Sequence, residues 1–323
     1  MSTSQTLLQF LRLHADDWIS GEHLSRELGV TRSAVWKHVR RLRRDGYEIV
    51  SAPRKGYRLT RTSPLLLPEE IQNGLQTRSF GQGSIVYLET TDSTNTRARE
   101  LAGQGRPEGT LVVAEEQTAG RGRKGRTWHS PERGGIYLSL VLRPKISPLE
   151  APKITLLAGI AAAEAILSLA DIDVHIKWPN DILIGARKVA GVLTEIASDL
   201  DEVSHVVTGL GMNANVRAFP PELREIATSL ALETGRPVDR AALVRTFLER
   251  YEHFYTVFLQ GRTDLVLDRW KALSRTLGSR IAVEIAGRRI TGVARDIEPD
   301  GSLMLETPDG EAHRVFSGDL ETV

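Results

Sequence analysis

The sequence contains no cysteine. That absence removes disulfides, thiolate metal sites and a cysteine nucleophile, and it suits a reducing, cytoplasmic setting. No metal-ligand motif stands in their place. Long apolar runs are missing too: the most apolar stretch, "ITLLAGIAAAEAILSLA", is short for a bilayer span and carries Glu164. The opening "MSTSQTLLQFLRLHADDW" has no basic segment leading into a long apolar one, so neither a signal peptide nor membrane association is expected. Net charge is scarce, at +1 over 323 residues, and there is no internal repeat. What remains, 41% hydrophobic and 26% charged residues, is ordinary for globular domains, and the length allows two or three of them.

The small net charge hides an asymmetry. The first 61 residues hold twelve Lys/Arg against six Asp/Glu, leaving thirty against thirty-five in the rest. A basic module ahead of a slightly acidic body is the pattern expected when only the front end meets nucleic acid. Within it, "SGEHLSRELGVTRSAVWKHVRRLRRDGYEI" predicts a short helix with Leu24 and Leu28 inward, a turn at Gly29, and a second helix capped by Thr31. Ala34, Val35, His38, Val39 and Leu42 fall on or near one face of that second helix. Arg32, Ser33, Trp36, Lys37, Arg40 and Arg41 are left outside as a groove-reading face. Two short strands, "YEIVSAP" and "GYRLT", follow around "RKG" as a wing, where Arg54 and Lys55 can touch phosphate. The competing reading is a winged helix that docks on protein. Pro64 and Pro68 mark the boundary, so residues 1–62 form the first domain.

From about residue 84, β-branched runs alternate with helical patterns, including an alanine-rich helix over 152–170 and later helices near 239–258 and 263–275. An α+β arrangement follows, with a central mixed β-sheet backed by helices. Three polar clusters interrupt it. "TTDSTNTRARELAGQG" sets Ser93, Thr94 and Asn95 before a short helix, where one can serve as a cap and the rest can bind an amide- or urea-like group. "EQTAGRGRKGRTWH" studs a glycine loop with Arg121, Arg123, Lys124 and Arg126 between two strands. It has neither the Walker spacing nor the helix after it that a dinucleotide fingerprint needs. Such charge density favours mobility until an anion neutralises it. In "KWPNDILIGARKVAGVLTE", a turn at Pro179 precedes Lys188, which opens a strand and points into a cleft.

Together these clusters resemble the bacterial biotin protein ligases, and the winged-helix front end resembles that of the bifunctional ligase and biotin operon repressor type. "GRGRKGR" looks like the family's glycine/arginine signature, "DSTN" like its biotin-contacting turn, and "KWPND" with "RKVAG" like its central block. The resemblance covers essentially the whole chain. It implies a catalytic domain of the class II synthetase-like biotin/lipoate ligase fold over 63–276 and an SH3-like β-barrel over 277–323. The last segment also reads independently as short strands with turns at "AGRR" and two "PDG" triplets.

The resemblance further implies a two-step reaction. Biotin and ATP, with Mg²⁺, give biotinyl-5′-AMP, and a lysine of the biotin carboxyl carrier protein of acetyl-CoA carboxylase then takes the biotin. Family roles carry over onto Ser93, Thr94, Asn95, Gln117, Arg121, Gly122, Arg123 and Lys188. Lys188, Arg121 and Arg123 are the cations suited to offset charge at the reacting carboxylate and α-phosphate. Ser93 or Thr94 with Asn95 suits the ureido ring, and Gln117 adds a polar contact. Trp128 either covers the ligand or packs in the core. The loop is expected to close over the adenylate, and an adenylate-ordered homodimer to bring two winged helices to operator DNA. Alternatives are a ligand-sensing regulator without ligase activity and a lipoate or octanoyl transferase.

Overall fold

The computed structural model describes residues 2–169, 172–198, 202–285 and 287–323. Ser2 and Gln5 cap each other reciprocally to open α1 (Thr3–Leu13), an amphipathic helix that the sequence reading did not identify. α2 (Gly21–Leu28) stops where Gly29 takes the left-handed conformation, and α3 (Arg32–Arg44) starts from Thr31, whose hydroxyl accepts from the Ala34 N–H. β1 (Glu48–Ala52) and β2 (Gly56–Arg61) pair as the antiparallel wing. Leu7, Leu8, Leu11, Leu24, Val35, Val39 and Leu42 close one apolar core beneath. His38 lies at its edge, 2.8 Å from the Ser4 hydroxyl.

Two units emerge, Met1–Asn73 and Gly74–Val323. The first therefore runs beyond the boundary read at residue 62. The short helix α4 (Pro68–Gln72) is tied back to α1, because Arg12 pairs with Glu70 and the Gln5 amide donates to Glu69 at 3.1 Å. These pairings join residues more than fifty positions apart, which proline punctuation cannot signal.

The second unit is built on a seven-stranded sheet. Its strands are β3 (Ile85–Thr91), β4 (Leu111–Gln117), β5 (Ile136–Leu142), β6 (Val174–Lys177), β7 (Asp181–Ile184), β8 (Arg187–Ser198) and β9 (Val203–Met212), in the order β3-β4-β5-β9-β8-β7-β6. Among the described strands, β3 and β4 are the one parallel ladder; their crossover is α5 (Thr94–Gly103). The other ladders are antiparallel, so the sheet is mixed, as expected. β7 covers β8 only as far as Gly191, and no strand among the described residues pairs with that side of β8 beyond it.

α6 (Pro152–Leu167) carries the alanine run. Ala158, Ala161, Ala162, Ala163 and Ala165 are fully buried, which lets its backbone lie close to its neighbours; Ala170, at the end of the expected helix, lies outside the described residues. After the short α7 (Leu230–Thr234), α8 (Arg240–Leu259) and α9 (Thr263–Leu273) complete the helical layer, close to where periodicity put them. The Glu252 carboxylate on α8 accepts from the N–H groups of Arg78, Ser79 and Phe80. Burial alone would raise its pKa, but these bonds outweigh it and hold the group below its usual value.

β10 (Arg280–Ile285), β11 (Arg288–Ile297), β12 (Leu303–Glu306), β13 (Ala312–Val315) and β14 (Glu321–Thr322) form a five-stranded antiparallel sheet ordered β13-β12-β11-β10-β14. Both "PDG" triplets lie at strand connections; Ala286 of the "AGRR" turn is outside the described residues. This sheet belongs to the same compact unit as the seven-stranded sheet and its helices, to which Trp178 Nε1 donating to the Gly301 carbonyl at 3.2 Å and Lys271 pairing with Asp296 at 2.7 Å attach it.

Candidate functional site

In the first unit, all eight side chains singled out on the recognition helix and wing are exposed: Arg32, Ser33, Trp36, Lys37, Arg40, Arg41, Arg54 and Lys55. The Arg40 guanidinium stacks over the Trp36 ring, 4.7 Å from its centroid, which keeps a large aromatic on the surface beside cations. Arg41 is partly engaged, 3.9 Å from Asp45. A second cation-aromatic cluster was not anticipated: Lys55 and Arg58 of the wing lie over Trp18 at 5.8 and 4.9 Å. Trp18 precedes the helix pair in sequence, so only the fold brings it to the wing.

In the second unit a cavity of about 460 Å³ gathers the three polar clusters. Ser93, Thr94, Asn95, Gln117, Arg121, Gly122, Arg123 and Lys188 all line it, with Trp128, Asn180, Asp181 and Asp319. Ser93 sits at the N-terminus of α5 without making a side-chain cap. The capping acceptor comes instead from the end of β4: Gln117 Oε1 accepts from the Thr94 N–H at 2.8 Å and from its hydroxyl at 3.1 Å. Gln117 Nε2 donates to Ser130 at 2.9 Å. Gln117 thus fixes the polar turn, leaving the Ser93 hydroxyl free of capping duty.

Asn95 is held from three sides. Its Nδ2 donates to Glu195 Oε2 at 2.9 Å and the Leu193 carbonyl at 3.3 Å, while Oδ1 accepts from Ser139 at 2.6 Å. β9 makes room for it at Gly209, where an added Cβ would stand 1.9 Å from Asn95 Oδ1. Gly211 does the same for Trp128, whose ring would lie 2.6 Å from a Cβ. The alternating glycines of "GLGMN" were thus a signal for close approach that the sequence reading passed over.

The basic side chains of the loop 119–129 meet acceptors from elsewhere in the fold. Arg121 pairs with Glu195 at 2.9 Å, Arg123 donates to Asn180 Oδ1 at 2.9 Å, and both Lys124 (3.2 Å) and Arg126 reach Asp319. Burial would raise the Asp319 carboxyl, but the hydrogen bonds from Arg126 and Lys124 outweigh it and hold its pKa below the usual value. The depressed pKa means the clasp is intact at neutral pH and is lost only as pH falls through it.

Lys188 opens β8, where its N–H donates to the Ile226 carbonyl at 2.8 Å. Its ammonium lies 2.6 Å from Asp181 and 5.2 Å from the centroid of the Trp128 ring. The Trp128 ring is thus half-buried, packed against Gly211 and lining the cavity beside the lysine. The site can hold a urea-like head at α5, an anion among Arg121, Arg123 and Lys188, and a flat ring near Trp128.

Known proteins resemble this chain along nearly its whole length. The biotin/lipoate A/B protein ligase family model matches residues 87–213, an HTH domain model residues 3–58, and a biotin protein ligase C terminal domain model residues 276–321. The bifunctional ligase/repressor BirA of Bacillus spizizenii is 41% identical over 98% of this chain and 97% of its own, and that of Bacillus subtilis is also 41% identical over the same shares. Among solved structures, the biotin protein ligase from Aquifex aeolicus in complex with biotin and ATP is 30% identical, covers 75% of this chain and all of its own, and superposes with a TM-score of 0.66. With the three domain models in register and this identity along nearly the whole length, the chain belongs to the biotin/lipoate A/B protein ligase family, among its bifunctional ligase/repressor members.

Proposed function

We propose that this protein is an ATP-dependent biotin protein ligase that also represses biotin biosynthesis genes with biotinyl-5′-AMP as corepressor. The observation that carries the reading is one cavity uniting the α5 N-terminus, the arginine loop and Lys188. In the first step a biotin carboxylate oxygen attacks the α-phosphorus of ATP and the bond to pyrophosphate breaks. Lys188, Arg121 and Arg123 offset the charge that accumulates on the phosphoryl oxygens. In the second step the amine of a carrier lysine attacks the acyl carbon, AMP leaves, and the amine proton passes to solvent. Ser93, Thr94 and Asn95 bind the ureido ring, Gln117 holds that turn in place, and Trp128 covers the ligand.

Magnesium fits this site as an ion brought in by the nucleotide. Asp181 and Asp319 are each engaged by cations, and among the described residues no three His, Cys, Asp or Glu side chains stand together to hold a metal. Its chemistry would be to neutralise triphosphate charge, with Asp181 as the protein's own contribution.

The regulatory half needs a dimer on paired operator half-sites. The side of β8 that β7 leaves open past Gly191, with Ile196 42% exposed upon it, supports a second copy docking by its own sheet. A gel shift with the operator, with and without biotin plus ATP, checks the coupling; equal affinity in both states contradicts it. No helix among the described residues is long and apolar enough to cross a membrane.

Incubation with biotin, ATP and an apo biotin carboxyl carrier domain tests the ligase directly, with lysine-linked biotin as the expected product. Absence of pyrophosphate release would leave a sensor without ligase activity. Two variants refine the picture. Gly209→Ala drives a methyl into Asn95, and since overpacking costs about 1–3 kcal/mol, biotin affinity by calorimetric titration should fall about tenfold. Asp319→Asn removes the charge that clasps Lys124 and Arg126. Adenylate should leave the variant several times faster in a filter-retention assay, whereas an unchanged rate would remove Asp319 from loop closure.

A further inference from the structure

Glu195 was not among the residues picked out from sequence, yet it is the acceptor on which two parts of the site converge. It lies on β8, seven residues past Lys188, with its side chain 21% exposed. Oε2 accepts from Asn95 Nδ2 at 2.9 Å and from Arg121 Nη1 at 3.2 Å; Oε1 lies 2.9 Å from the same Arg121 nitrogen and, more distantly, 3.4 Å from Arg99. A single carboxylate therefore touches the polar turn at α5 and the arginine loop, segments that otherwise belong to different connections of the sheet.

The chemistry of these contacts fixes an orientation. An ionised carboxylate only accepts, so it must face the NH₂ side of the Asn95 amide, and the Leu193 carbonyl requires the same. Ser139 donates to Oδ1 from the opposite side. Both Nδ2 hydrogens are thereby committed within the protein, and what Asn95 has left is the second lone pair of Oδ1. The amide thus presents an acceptor, which suits a ring N–H and rejects a ligand that brings a carbonyl to that position.

We propose that Glu195 is a positioning residue with two separable duties: it sets the Asn95 amide as an acceptor for a ureido N–H, and it holds Arg121 at the loop until an anionic intermediate competes for that guanidinium. The proposal rests on the biotin-adenylating reading above. The first duty needs only an acceptor oxygen, while the second needs the negative charge. A glutamine can meet the first through its carbonyl oxygen and cannot meet the second.

Glu195→Leu and Glu195→Gln are made in the full chain and compared with the parent for the KM of biotin, the KM of ATP and the rate at which preformed radiolabelled biotinyl-5′-AMP leaves the protein. Glu195→Leu should raise the KM of biotin about tenfold, as expected when a buried amide loses its partner, and should speed adenylate loss. Glu195→Gln should return the KM of biotin to within about twofold of the parent while adenylate loss stays fast. A rescue of both quantities by glutamine, a rescue of neither, or an unchanged adenylate rate in both variants overturns the assignment. A fall in melting temperature with the KM values of biotin and ATP rising together also overturns it, since that is the mark of a structural role. The parent supplies the separate check: if it makes no biotinyl-5′-AMP, the ligase reading fails, and if it does, the variants judge Glu195 alone.

Discussion

Lys188→Gln is expected to lower the rate of biotinyl-5′-AMP formation by about 10²–10³-fold, the loss typical when a donor aimed at developing transition-state charge is removed from a pre-organised site. The side chain is held for that task. Its backbone is fixed by the Ile226 carbonyl, its stem passes Gly191, and its ammonium rests between Asp181 and the Trp128 face. Glutamine keeps the length and hydrogen-bonding ability but not the charge, so binding of biotin alone should change little while turnover collapses. Pyrophosphate release under saturating biotin and ATP measures the first quantity and calorimetric titration of biotin the second. A variant with an unaltered turnover would show that the arginines carry the chemistry without the lysine.

The second large effect concerns stability. Glu115, on β4, and Arg240, at the start of α8, form an ion pair at 2.8 Å with side chains only 2% and 4% exposed. Arg240 also donates to the Gly135 carbonyl at 2.9 Å, so the pair stitches the helical layer to the sheet. Removing one partner from a buried pair leaves a desolvated charge without its counter-ion, and Glu115→Ala is expected to destabilise the protein by about 3–5 kcal/mol. Urea unfolding of the parent and the variant gives the figure. Because an apolar pair avoids the desolvation cost, the double variant Glu115→Leu with Arg240→Met should recover much of that loss. A loss below about 1 kcal/mol in Glu115→Ala would mean that the carboxylate is not what keeps the guanidinium stable in the interior.

The parts of the site that could be read in sequence are those whose signal is local. Gly29 and Thr31 announce a helix-turn-helix within three residues, and "DSTN", "GRGRKGR" and "RKVAG" each stand as one unbroken string. The fold brings all three strings to a single cavity, at the ends of β4, β8 and β9. What stayed hidden are the anions that hold the cations. Glu195 lies 74 positions from Arg121, and Asp319 lies 193 positions from Arg126. A glutamate in "GVLTEIA" or an aspartate in "FSGDLE" has the look of a solvated residue in an alternating strand, and only tertiary placement gives either a partner. The position of α4 eluded sequence for the same reason. The expectation of a loop mobile until an anion neutralises it weighed charges along the chain, and the carboxylates of Glu195 and Asp319 enter only across the fold.

The strand order also sets a timetable for synthesis. The wing pairing and the apolar core of the DNA-reading unit are made by residues within the first 73, so that unit can close while the remainder is still being made. The central sheet cannot. β5 finds its neighbour β9 only when residues 203–212 have been added, and during that wait its seven buried residues, Ile136–Leu142, have one flank without a strand. The loop waits longer still for Asp319. On the ribosome, then, a finished operator-binding module precedes any sensor of the vitamin. Premature termination between the two would release a protein able to approach DNA but unable to answer to its corepressor.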